Sequence, residues 1–108
     1  MTRREERAWA AGLFEGEGCF SASTGPSSSG GKYHNRTAKL SMTDELPVRR
    51  FHHFVGVGTV RLDDSRPAPQ KVQWLWQVSS LEGVQHVAAL LWDELGERRR
   101  GQARAALA

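Results

Sequence analysis

Between Arg3 and about Glu15 the chain has no proline, and Trp9, Leu13 and Phe14 recur at the spacing of one helix face. Ala8, Gly12 and Gly16 form a second stripe of small residues four apart, which gives that helix a side suited to very close approach by another helix. The period then changes to two. Cys19 to Thr24 predicts a strand with Phe20 and Ala22 on one face and Ser21 and Ser23 on the other, and GPSSSGG at 25–31 predicts a flexible loop. A second strand follows over 33–42, with Ala38, Leu40 and Met42 alternating against Thr37, Lys39 and Ser41.

Thr43 or Asp44 is placed to cap a short helix with Pro47 in its first turn and Leu46, Phe51, Phe54 and Val55 on its apolar side, ended by GVG at 56–58. The strand from Thr59 to Asp63 turns Val60 and Leu62 inward and Arg61 and Asp63 outward, and the loop DSRPAP comes after it. The last strand sets Val72, Trp74, Trp76 and Val78 against Gln73, Leu75 and Gln77. From Leu81 the pattern predicts one long helix, buried through Val84, Val87, Ala88, Leu91, Trp92 and Leu95 and finishing in Arg98–Arg100, with GQARAALA beyond it expected to fray.

Helix, two strands, helix, two strands, helix, with every strand apolar on one side, predicts a two-layer α+β domain: a four-stranded antiparallel sheet with the helices on one face. The other face is left open. It would carry Ser21, Ser23, Thr37, Lys39, Ser41, Arg61, Asp63, Gln73 and Gln77, groups able to reach phosphates and base edges, and Arg36 and Arg66 add basic candidates nearby. A merely solvated sheet face would also be polar, though commonly richer in glutamate. A single domain over residues 1–100 with a tail at 101–108 is expected, and at 108 residues its core is modest. Four tryptophans in so short a chain supply apolar surface for a core or an interface, which favours a dimer.

Composition narrows the function classes little. Fifteen Lys and Arg against twelve Asp and Glu leave a net charge of +3 and a pI near 9.6, a mild preference for an acidic partner that a solubility margin would equally explain. The single cysteine, Cys19, excludes an intrachain disulfide and a cysteine zinc cage, and reads as a small buried hydrophobe. No apolar run is long enough to span a membrane, and MTRREER leads into no signal-peptide core, so a reducing cytoplasmic setting is expected. His52 and His53 are adjacent on a helix and point apart, a poor shared ligand set, while His34 lies where it could touch a bound polymer.

One stretch breaks a local rule. The first helix runs into Glu15-Gly16-Glu17-Gly18, placing two carboxylates at a helix end that already carries partial negative charge and ordinarily takes Lys or Arg. Residues 10–18, AAGLFEGEG, resemble the nine-residue signature of the LAGLIDADG homing endonucleases. Ala11, Gly12, Leu13 and Gly18 match it, Glu15 and Glu17 stand where the signature has Asp, Ala10 replaces Leu, Phe14 replaces Ile and Gly16 replaces Ala. The element order, a Phe two residues past the motif, the GVG turn and the tryptophan-rich strand before the last helix extend the resemblance over nearly the whole chain.

The resemblance implies a site-specific endonuclease that makes a staggered, metal-dependent double-strand break in a long, roughly palindromic DNA site. One motif per chain implies a homodimer, in which the motif helices pack across a two-fold axis through Ala8, Ala11, Gly12, Glu15 and Gly16. Glu17 of each subunit, with the Gly16 carbonyl, would hold Mg²⁺, with Mn²⁺ as a substitute. Lys39, Asp44, Arg49 and Gln77 are candidates to position water and stabilise charge. Asp44 reads equally as a helix cap, Arg49 as a solvated helix residue, and Lys39 and Gln77 as plain DNA contacts. Glu15 is expected to be structural, and Gly18 to end the helix with a positive φ. A regulator or intron splicing factor on the same scaffold, with catalysis lost, is the main alternative. A dimeric interaction module without nucleic acid is the third. A stand-alone or intron-borne gene of a GC-rich bacterial or phage genome, with no membrane and no small-molecule substrate, completes the expectation.

Overall fold

The structure is a computed structural model that describes residues 1–65 and 71–108. Helix α1 (Arg3–Glu17) leads into strands β1 (Gly18–Pro26) and β2 (Lys32–Met42), then α2 (Glu45–Val55), strands β3 (Thr59–Asp63) and β4 (Gln73–Val78), and helices α3 (Leu81–Leu91) and α4 (Glu97–Leu107). The strands form one antiparallel sheet in the order β1-β2-β4-β3. Phe20, Ala38, Leu40, Trp76 and Val78 share the face turned to the helices and are buried there, so the two-layer α+β architecture read from the alternation is the one observed.

Local chemistry accounts for the element ends. Thr2 caps α1 in a capping box with Glu5, and the hydrogen bonds from Thr2, its backbone amide first, hold the Glu5 carboxyl below its ordinary value. Asp44 is the residue that caps α2, accepting from the Leu46 amide, and Gly56 closes that helix at φ 75°, a conformation few other residues adopt. Four aromatic rings form the centre of the core. The Phe14 ring lies 4.8 Å from Phe20, 5.9 Å from Phe51 and 6.4 Å from Trp76, and the Trp76 indole N–H is satisfied by the Val57 carbonyl at 2.9 Å.

Several expectations need correction. The long C-terminal helix is broken: α3 stops at Leu91, a 3-10 turn covers Trp92–Glu94, and Gly96 starts α4. The run 101–108, expected to fray, is helical to Leu107, because Ala103 and Ala106 are buried against the core. α4 also covers the outer edge of β1, where the Gln102 side-chain oxygen accepts from the Phe20 amide at 3.3 Å and occupies a donor an edge strand would otherwise leave open. Gly18 does not have a positive φ; it is extended at φ −96°, and glycine is needed because a Cβ there would overlap the Phe14 ring. The hairpin loop shortens to 27–31, Val72 lies outside β4, and Leu46 is 75% exposed rather than part of the α2 core. Among the described residues no helix is long and apolar enough to cross a membrane.

Candidate functional site

Glu17 is the last residue of α1, and its side chain is exposed where the helix layer gives way to the rim of the sheet. It lines a cleft of about 200 Å³ together with Ser41, Met42, Thr43 and Gln73. A carboxylate, two hydroxyls and an amide make a set of hard oxygen donors with room for water, the environment a magnesium-sized cation favours. Among the described residues no group of three Asp, Glu, His or Cys side chains gathers, and Glu17 is the one acidic group lining this cleft.

The other carboxylate of the motif has a different task. Glu15 Oε1 accepts from the Gly96 amide at 2.6 Å, at the start of α4, where Gly96 provides no side-chain cap of its own. In return Arg99 Nε donates to the Glu15 carbonyl at 3.2 Å. The acid that looked misplaced at the C-terminal end of α1 thus caps the N-terminal end of α4, and the cation that α1 lacks in its last turn arrives from α4. Through these two bonds Glu15 is engaged within its own chain, whereas the resemblance had placed it in a dimer interface.

The candidates fall into three places. Ser41 and Gln73, read as DNA contacts, join Glu17 in the cleft. Lys39 and Gln77 are cross-strand partners on the open face, Gln77 donating to the Ser79 hydroxyl at 3.2 Å. Asp44 and Arg49 belong to α2: Asp44 caps it, and Arg49 pairs with Glu45 at 2.7 Å while its guanidinium stands 5.2 Å from the Trp74 ring centre. Trp74 is the cross-strand partner of Met42, so Arg49 reaches the cleft wall through one intervening side chain.

Register decides the open face. Ser21 pairs with Thr37, Cys19 with Lys39, Lys39 with Gln77, Gln77 with Thr59, Leu75 with both Ser41 and Arg61, and Gln73 with Asp63. Ser23, one step along β1, faces Asn35. Arg36, read as a basic candidate near the open face, pairs with Ala22 and so lies on the opposite, helix-side face. Arg66 falls outside the described residues. Cys19 is half-buried on the open face instead of being a core residue. Ala11 is fully buried inside the protomer, so it belongs to the core and not to an exposed helix side. Ala8, Gly12 and Gly16 remain exposed, and a Cβ at either glycine would meet nothing within 4 Å.

Asn35 and Thr59 were missed on the open face, although the alternation, extended by two residues along their strands, includes both. Thr43 in the cleft was read only as a cap, and Arg99 carried no local signal at all.

The fold that carries this site has counterparts among solved structures. The homing endonuclease I-CvuI, crystallised with the I-CreI target DNA in the presence of Mg, superposes with a TM-score of 0.78 at 19% identity, covering 97% of this chain and 65% of that one. The LAGLIDADG homing endonuclease I-LtrWI, bound to its target DNA, gives a TM-score of 0.69 at 21% identity over 94% of this chain and 33% of that one.

The chain has the LAGLIDADG homing endonuclease fold. The same fold in I-TnaI matches with a TM-score of 0.74 at 16% identity over 91% of this chain and 66% of that one. This chain therefore spans about two-thirds or less of the length of these LAGLIDADG proteins. No family model and no curated protein matches the sequence.

Proposed function

We propose that this LAGLIDADG-fold chain is a site-specific DNA endonuclease that acts as a homodimer and requires Mg²⁺. The observation that carries the reading is Glu17, an exposed carboxylate at the end of α1 in a cleft of oxygen donors beside the open sheet face. DNA in the I-CvuI and I-LtrWI complexes supports the choice of partner.

The sheet suits a duplex dimensionally. Strand residues rise about 3.3 Å each, close to the 3.4 Å step of a DNA strand, and successive open-face side chains recur at about twice that. Two adjacent strands at roughly 4.8 Å spacing fit within the roughly 12 Å width of the major groove, so the sheet can enter it a strand pair at a time. Lys39 and Arg61 supply cations for phosphates, while Ser21, Ser23, Thr37, Asn35 and Gln77 supply uncharged donors and acceptors for base edges. Affinity should fall steeply with salt, by on the order of 10³-fold or more between 50 and 200 mM if six or more phosphates are contacted. Fluorescence anisotropy over that range checks it, and an affinity that ignores salt would remove DNA as the partner.

Glycine inside a helix is destabilising by up to about 1 kcal/mol relative to alanine, yet Gly12 and Gly16 face open space in the protomer. Their reason is best sought in a second chain. Packing of two α1 helices through Ala8, Gly12 and Gly16 would bring two Glu17 side chains together, supplying the pair of carboxylates that one protomer lacks. Gly12→Arg should leave the protomer folded and shift it to monomer in sedimentation velocity, with cleavage lost. A Gly12→Arg protein that stays dimeric would sink this interface.

Glu17 of each protomer, with the neighbouring Gly16 carbonyl, would hold the cation. Bound there, Mg²⁺ supplies Lewis-acid charge at the scissile phosphate and at the attacking water. The chain's own part is to present the carboxylates, to align the duplex through the open face, and to hold the backbone near the cleft with Ser41, Thr43 and Gln73. One Glu17 per strand would give a staggered cut with two-fold symmetry, so the preferred site should be roughly palindromic. Selection of cut molecules from a randomised palindromic library, with Mg²⁺ or with chelator, tests the reading. Enrichment by binding without metal-dependent ends would favour a DNA-binding protein that has lost catalysis.

A further inference from the structure

The last turn of a helix has carbonyls without intrahelical partners and tends to fray, and here that turn contains Gly16, the residue least able to resist unwinding. Glu17 follows it directly. Two hydrogen bonds bracket the position: the Gly18 amide donates to the Phe14 carbonyl, and Arg99 Nε donates to the Glu15 carbonyl at 3.2 Å. The second is unusual in its cost. Arg99 is only 8% exposed, and burying a guanidinium sacrifices hydration that a surface arginine keeps. Its place is fixed in turn by Glu15, whose carboxylate holds the Gly96 amide one turn upstream in α4. Arg99 and Glu15 thus form a crosswise clamp between the end of α1 and the start of α4.

We propose that Arg99 is the positioning residue for Glu17: by holding the Glu15 carbonyl it keeps the last turn of α1 wound and sets where the Glu17 carboxylate enters the cleft. It touches neither the substrate nor the cation. The enzymatic consequence rests on the endonuclease reading; the structural one does not.

The test uses the full chain with Arg99→Gln and Arg99→Lys, read in two ways. By amide hydrogen exchange, Arg99→Gln should lower protection at Gly18 by about tenfold or more while Ala38 and Trp76 in the sheet keep theirs. In cleavage assays kcat should fall at least about tenfold with the Kd for DNA unchanged within about twofold, since misplacement affects the reacting geometry more than binding. Arg99→Lys retains a cation beneath the helix end, so it should recover part of kcat, and it keeps the test open if the Gln variant does not fold. A uniform loss of protection across the chain, or kcat and affinity falling together, would make Arg99 a stability residue and overturn the proposal. If the wild-type protein cuts no DNA, the endonuclease reading fails on its own, and amide exchange at Gly18 still decides whether Arg99 holds the turn.

Discussion

Glu17→Gln is expected to slow DNA cleavage by at least about 10³-fold, equivalent to roughly 4 kcal/mol of transition-state stabilisation, while binding DNA as tightly as wild type or more tightly. Glutamine keeps the size of glutamate and can still accept a hydrogen bond through its amide oxygen, but it has no charge with which to hold a divalent cation. Glu17 is exposed and, among the described residues, caps no helix, so the fold should be indifferent to the change. Binding should improve, because a negative charge near the phosphates disappears. The split between the two effects is the informative feature. Single-turnover cleavage and anisotropy on one oligonucleotide measure both, and loss of binding in parallel with cutting would remove Glu17 from the catalytic assignment.

The largest stability effect should come from three residues earlier on the same helix. Phe14→Ala is expected to cost about 3–5 kcal/mol, a large share of the roughly 5–15 kcal/mol that a domain of this kind has. The ring is fully buried among Phe20, Phe51 and Trp76, so its removal leaves a cavity lined by rigid aromatics that cannot collapse to fill it. Gly18 lies against the same ring, so the α1–β1 junction that carries Glu17 would loosen as well. Urea unfolding should show a lowered midpoint with little change in slope, and the melting temperature should drop by on the order of 20 °C. A loss below about 1 kcal/mol would mean that the junction repacks, and that Gly18 is not constrained as described.

Both residues were legible in the chain for different reasons. Phe14 directly follows Leu13, which lies one helical turn after Trp9, and so widens that apolar side, while Glu17 violates the charge preference of a helix end. The strands were equally readable, because a period of two fixes which residues share a face wherever one side is buried. Counting along β2 from Ala38 also puts Arg36 on the helix side, and the reasoning stopped too early for Asn35 and Thr59. Glu15 shows the limit of a local rule. It breaks the rule for α1 because it obeys the same rule for α4, the helix whose N-cap is Gly96.

By itself the sequence determined the periodicities, and with them the four strands, the first two helices, the apolar and polar faces of the sheet, and the presence of a motif ending in an acid. These depend on spacing within one element, which the order of residues contains directly. Only the tertiary structure decided that the C-terminal apolar pattern breaks at Trp92–Glu94 and returns as α4, since Ala103 and Ala106 continue a helical rhythm that a straight helix could also have carried. It also decided that α4 covers the β1 edge, that Ser41, Thr43 and Gln73 surround Glu17, and that Arg99 supplies the charge missing from the end of α1. Such contacts join residues up to 84 positions apart. Their partners are selected by packing and by the need to satisfy buried polar groups, neither of which leaves a local mark in the sequence.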